Sequence, residues 1–163
     1  MLVVSDTTPI IAMMKAKCLY LLKSLFNTVL IPQAVYNELV DNQRYKQEAN
    51  IIEQNDFFKV LDVRDKEAIN LLRKEEKLDL GESEAITLSH EQGANLLLMD
   101  EQRGRKVAEK LGINITGTIG ILLHANNVGI LSKAETLNCL QLMTTSNIRF
   151  SRQLIDYVKQ NLV

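Results

Sequence analysis

The chain has 163 residues, 46% of them hydrophobic and 24% charged, a balance that excludes a disordered or fibrous protein and makes one domain the starting expectation. A chain this long buries about 68 to 70% of its unfolded surface, so one core holds it without disulfides. Nineteen basic and twenty acidic residues leave a formal charge of -1, which excludes a domain that coats nucleic acid by bulk electrostatics and makes any nucleic-acid site a local one.

Cys18 and Cys139 stand far apart in the chain among apolar residues, with neither the spacing of a zinc site nor the dense pattern of a secreted scaffold. They read as buried thiols of a reducing compartment. Lys15, Lys17 and Lys23 interrupt the best apolar run, so no stretch reaches the roughly 18 residues of a membrane span. The start, MLVVSDTTPIIAMM, carries a carboxylate inside its apolar stretch and no basic residue before it, unlike a signal peptide. A cytoplasmic protein is expected.

Four short β-like runs stand out in chain order: Leu2 to Ser5, Thr28 to Ile31, Phe57 to Leu61 and Asn95 to Met99, with a weaker fifth at Ile113 to Thr116. Pro32 suits the first turn of a helix whose apolar stripe continues at Val35 and Leu39. Lys66 to Lys77 is helical by propensity, Gly81 opens a helix that Gly93 caps, and Glu101 to Leu111 forms another before Gly112. From about Ile119 to Val163 the pattern is three further helices. Met13, Met14, Leu19, Leu22 and Leu25 read as core, with a dimer contact as the alternative. No linker or repeat divides residues 1–163. Strands alternating with helices predict βαβ units and a three-layer α/β sandwich, a Rossmann-like parallel sheet of four or five strands flanked by helices.

In such sheets the functional crevice lies beyond the carboxyl ends of the strands. Asp6 ends the first run and Asp100 the fourth. A carboxylate there projects into the crevice, where it is costly unless a cation or donor pairs with it; the alternative for each is a helix N-cap. Glu38 lies beside the stripe of Val35 and Leu39, at the edge of the buried face or as an ordinary surface acid. Glu82 lies in the first turn of its helix, on the face of Ala85, Ile86 and Ser89, where complementing the helix dipole is the alternative; Glu84 is rotated away. Four carboxylates converging on one crevice would repel unless divalent cations neutralise them, and oxygen-only donors favour Mg²⁺ or Mn²⁺. Such ions activate water toward a phosphodiester with no nucleophilic side chain. His90 and His124 are placed for packing or partial exposure.

At these residues the chain resembles the PIN-domain superfamily of metal-dependent ribonucleases, and more closely its DUF3368 branch of small prokaryotic PIN-like proteins. The resemblance runs through Ser5-Asp6-Thr7-Thr8-Pro9-Ile10-Ile11-Ala12, Leu30-Ile31-Pro32-Gln33-Ala34-Val35-Tyr36-Asn37-Glu38-Leu39, Leu80-Gly81-Glu82-Ser83-Glu84-Ala85-Ile86, Leu98-Met99-Asp100-Glu101, and Thr116-Gly117-Thr118-Ile119-Gly120. It implies that Asp6, Glu38, Glu82 and Asp100 are the catalytic and metal-binding acids. Thr8 stands where the branch usually has a serine supporting the first acid, and Glu82 where many PIN domains have aspartate. Glu84 and Glu101 are neighbouring acids that compete for the assignment, with Asp79 a weaker candidate. The resemblance further implies Mg²⁺ or Mn²⁺, an RNA substrate, homodimers and, in toxin-antitoxin pairs, a small inhibitory antitoxin protein.

Thr116 and Thr118 frame a turn that either presents N–H groups to a phosphate or simply caps a helix. Arg103 and Arg105 are weak candidates for phosphate contacts, while Lys106 and Lys110 read as surface. The leading expectation is thus a divalent-metal-dependent endoribonuclease, in one version the toxin of a toxin-antitoxin pair. The alternative is a non-catalytic PIN-like module that binds nucleic acid or protein, favoured by the balanced charge and the 5% of aromatic residues. An aspartyl phosphotransferase is disfavoured, because Asp6-Thr7-Thr8 lacks a second aspartate two residues on.

Overall fold

Val3, Val29, Ile31 and Leu98 enter one apolar cluster, while Val4, Leu30, Leu97 and Met99 enter another. Successive strand residues point to opposite faces, so both faces of the sheet are buried. The computed structural model describes residues 1–41 and 46–163. Among these, β1 (Val3–Ser5), β2 (Val29–Pro32), β3 (Phe58–Leu61), β4 (Leu96–Leu98) and β5 (Ile115–Thr116) form one sheet in the order β3-β2-β1-β4-β5. All four pairings are parallel, with Val3 opposite Val29 and Leu96, and Leu97 opposite Ile115.

The helices are α1 (Thr7–Lys15), α2 (Tyr20–Phe26), α3 (Gln33–Asp41), α4 (Lys46–Gln54), α5 (Lys66–Glu75), α6 (Leu80–Gln92), α7 (Gln102–Lys110), α8 (Thr118–Asn127), α9 (Lys133–Thr145) and α10 (Arg152–Asn161). Residues of α1, α2, α8 and α9 pack on one face of the sheet, and those of α5, α6 and α7 on the other. The result is the three-layer α/β sandwich. From Thr118 onward the chain is helical, and Ile119, Leu140 and Val158 join α8, α9 and α10 in a smaller cluster.

Four of the expected runs become strands trimmed by one or two residues, and the second shifts by one residue to Val29–Pro32. Pro32 departs from its expected place: it closes β2 opposite Leu61, and the helix begins at Gln33. A proline lacks the N–H of the ladder, so a strand end tolerates it. Cys18 and Cys139 are both free and buried, and the fold brings their thiols together in the larger cluster, where Cys18 also reaches Met13 Sδ at 3.6 Å.

Helix α6 is the central element of its layer. Every residue from Gly81 to Ser89 is buried, polar ones included. Their hydroxyls are satisfied within the helix: Ser83 donates to Asp79 O at 2.7 Å, Thr87 to Ser83 O at 2.8 Å and Ser89 to Ala85 O at 2.8 Å. Buried polar side chains carry little penalty when bonded in this way. Glu84, buried on the side facing α3, accepts the Ala34 N–H at 2.9 Å and so serves the first turn of that helix. This bond spans two elements and fixes how α3 sits on α6. Replacing Glu84 by alanine should leave the Ala34 amide unserved and lower stability by about 1 to 2 kcal/mol in urea unfolding; a variant as stable as the parent would show that water serves the amide equally well.

Candidate active site

The strand order reverses at β1. The chain first builds outward through β2 and β3, then crosses to the other side for β4 and β5, which opens a crevice at the carboxyl ends of β1 and β4. Asp6 follows β1 directly, and its backbone N–H donates to Leu98 O at 2.9 Å. This places it at the N-cap position of α1, yet its side chain makes no capping bond there. Asp6 is 4% exposed. Burial pushes its pKa from 3.8 up to about 7; the Thr7 backbone N–H opposes the shift, while the charges of Asp79, Glu82 and Glu38 add to it.

Those three acids arrive from two helices. Glu38, on α3, is exposed, the surface position that its sequence reading held as the alternative to the buried edge, and Thr7 Oγ1 donates to its Oε2 at 2.8 Å. Asp79 and Glu82 form a capping box at the head of α6: the Glu82 N–H donates to Asp79 Oδ1 at 2.7 Å, and the Asp79 N–H donates to Glu82 Oε2 at 2.9 Å. The Asp-x-x-Glu spacing is the sequence signal for that box, and it gives Asp79 a defined place beside the three acids. Burial raises the Glu82 pKa, with further upward pressure from Asp79 and Glu101, while the Asp79 backbone bond and Arg103 pull it down.

Gly81 lies at the centre of this arrangement. A Cβ built on it would meet Asp6 Oδ1, Asp79 Oδ1 and Glu38 Oε2, each at 3.5 Å, so no two of these oxygens lie more than twice that distance apart. The absence of a side chain keeps the space between them open.

Asp100 is held differently. Its Oδ1 accepts the Thr118 N–H at 2.7 Å and its Oδ2 the Thr118 hydroxyl at 2.5 Å. Burial raises its pKa, and the Thr118 bonds and the Arg105 charge oppose the rise. The first amide of α8 is thus taken by a carboxylate of the chain itself, with the negative group at the positive end of a helix. The structure therefore gathers Asp6, Glu38 and Glu82 with Asp79, and ties Asp100 to α8 at the neighbouring strand end. Thr116 packs against Gly120, and Thr8 is exposed on α1.

The remaining acids and bases have separate tasks. Glu84 serves α3, and Glu101 occupies the N-cap position of α7 without a side-chain bond. Arg105 donates to Met99 O at 2.8 Å and Arg103 to Lys77 O at 3.1 Å, so each arginine is anchored to backbone beside one of the acids. Lys106 is exposed and Lys110 pairs with Glu76 at 3.7 Å, both surface roles. His90 and His124 are exposed.

The donor set of oxygens around Gly81, with negative charge that burial makes costly, suits a hard divalent cation. The spacing is looser than coordination needs: among the described residues no three His, Cys, Asp or Glu side chains are gathered closely enough to hold a metal ion. Closing that gap would take Glu38 and Asp79, both exposed, out of the bonds to Thr7 and to the Glu82 amide that hold them here.

The raised pKa of Asp6 has a thermodynamic consequence. In metal-free protein the folded state binds this proton more tightly than the unfolded state, so the contribution to stability is full below about pH 4 and is lost as pH rises to about 7. In EDTA, Asp6→Asn should therefore exceed the wild type in unfolding free energy at pH 8, by up to roughly 4 kcal/mol in urea titrations, and match it near pH 4. A difference independent of pH would place Asp6 in a solvated setting.

A family model described as a PIN domain, DUF3368, matches residues 2–162. No curated protein matches the chain. The parallel sheet between two helical layers is the architecture of that family, and PIN domains are generally nucleases that use divalent metal ions. With the match covering nearly all of the chain, the protein belongs to the DUF3368 family of PIN domains.

Proposed function

We propose that the protein is a divalent-metal-dependent endoribonuclease that hydrolyses RNA phosphodiesters with activated water. The observation that carries this reading is the buried Asp6 carboxyl at a strand end, surrounded by Glu38, Asp79 and Glu82 across the bare Cα of Gly81. Asp6, Glu38 and Glu82 would hold Mg²⁺ or Mn²⁺, with Asp100 acting from the adjacent strand end. When bound, the cation supplies the Lewis acidity that activates water and stabilises the leaving oxygen.

The chain's own groups prepare the site. Thr7 orients Glu38 through its hydroxyl, and the capping box orients Glu82. Thr118 locks both oxygens of Asp100, and Thr116 and Thr8 border the same crevice. Arg105, fixed on the Met99 carbonyl, sets a positive charge next to Asp100 where a phosphate of the substrate would pass; Arg103 does the same beside Glu82. Residues 1–163 would act as one domain, since α8 and α9 belong both to the main core and to the cluster that seats α10.

The same reading includes a cytoplasmic location, in keeping with two free buried thiols and with the finding that no helix of the described residues is long and apolar enough to cross a membrane. It also includes a homodimer and, where the protein is the toxin of a pair, a small antitoxin protein.

Calorimetric titration with Mn²⁺ tests the centre. The wild type should bind, while Asp6→Asn should bind at least tenfold more weakly and lose RNA cleavage by 10² or more, as removal of a group central to charge stabilisation does. Metal-independent cleavage, or cleavage untouched in Asp6→Asn, would reject the site. RNA binding without metal-dependent turnover would instead establish a non-catalytic binding module.

A further inference from the structure

Helix α1 ends in a turn that brings two sulfur atoms together. Lys17 takes a φ of 55°, and around it the Lys17 N–H donates to Met14 O and the Cys18 N–H to Met13 O, both at 2.9 Å. These two returning bonds make a Schellman motif, in which the residue after the turn packs back on the last turn of the helix. Here that packing is Cys18 on Met13, with Sγ and Sδ 3.6 Å apart. The motif accounts for these two sulfurs, but it does not account for a third. Cys139 comes from α9, far along the chain, and its thiol shares a hydrogen bond with that of Cys18.

All three side chains belong to the larger apolar cluster, with Met13 at 0%, Cys18 at 1% and Cys139 at 6% exposure. Both thiols are free. Tyr20, which is 52% exposed, is close enough for charge on either thiol to act on its hydroxyl, so the sulfurs lie just beneath the surface. Among the described residues no third His, Cys, Asp or Glu joins the two thiols as a ligand, which leaves the Met13 thioether as the remaining donor at this place.

Two thiols and a thioether form a soft ligand set. Such donors select Cu(I), whereas Mg²⁺ and Mn²⁺ prefer oxygen and structural Zn²⁺ fills four positions with thiolate, imidazole or carboxylate. Two sulfurs bonded to one ion at roughly 2.3 Å stand up to about 4.6 Å apart, so Met13 and Cys18 need no spreading to share one. Binding exchanges the cation for thiol protons, which leave to solvent. The first exchange leaves the charge of the group unchanged, so apolar surroundings that penalise an unpaired divalent ion tolerate it.

We propose that Met13, Cys18 and Cys139 form a binding site for one Cu(I) ion, separate from the acidic crevice and independent of the hydrolytic reading.

Anaerobic titration of the reduced protein against the coloured bicinchoninate complex of Cu(I) tests it. The wild type should withdraw one Cu(I) per chain and melt about 5 to 10 °C higher when loaded, and an excess of Zn²⁺ should not displace the copper. Cys18→Ser and Cys139→Ser should each bind at least about tenfold more weakly. Met13→Leu conserves volume and an apolar character, so it should melt with the metal-free wild type yet bind Cu(I) more weakly; this variant separates loss of a ligand from loss of the fold. Failure of the wild type to compete with bicinchoninate, or copper uptake unchanged in Cys139→Ser, overturns the site. Uptake lost in both cysteine variants but unchanged in Met13→Leu overturns the three-sulfur site and leaves the thiols as a pair.

Discussion

An ionised carboxylate inside a protein must find a countercharge or take up a proton, and the end of β1 is built around that constraint. Asp6 is carried there because β1 is the central strand, buried on both faces and flanked by β2 and β4. Its immediate neighbours intensify the problem, since Glu38, Asp79 and Glu82 each make the charged form less favourable. A fold shaped for stability alone would surround such a group with donors. Here the Thr7 backbone N–H serves Asp6, while the Thr7 hydroxyl serves Glu38 and the amides at the head of α6 serve its own capping box.

Helix α6 shows how the acids are brought in without unsettling the core. It lacks the one-sided apolar stripe of a surface helix, because sheet, α3, α5 and α7 surround it. Its serines and threonine turn inward on their own backbone, while two glutamates only two residues apart leave in different directions. Glu82 stays at the helix head beside Asp6, and Glu84 reaches α3. One short segment thereby provides both a fastening between helices and part of the acidic cluster.

These two acids also show what can be read from sequence and what cannot. The strands were legible because parallel strands buried on both faces are nearly uninterrupted apolar runs, and Asp6 and Asp100 were legible as the polar residues that end them. Helix α4 has no such signal; its residues are largely polar, and it packs against α3, with Ala49 and Ile52 buried. Helical spacing leaves Glu38 either at a buried edge or on the surface, and its exposure, the second of these, depends on what α3 packs against. The relation of Asp100 to Thr118 joins segments far apart in the chain, and no local pattern encodes it. The approach of Cys18 to Cys139 is of the same kind.

The placement of β1 has a consequence for how the protein comes into being. Of the five described strands the first in chain order is the innermost one, and one of its two partners, β4, begins only at Leu96. Until the ribosome has passed that point, half of the hydrogen-bonding edge of β1 has no mate, and Asp6 has no Leu98 carbonyl to receive its amide. Contacts of such long sequence separation make folding slow relative to a helical bundle of equal size. The nascent chain therefore carries Asp6 and Asp100 apart until β4 joins β1 and the second half of the sheet closes.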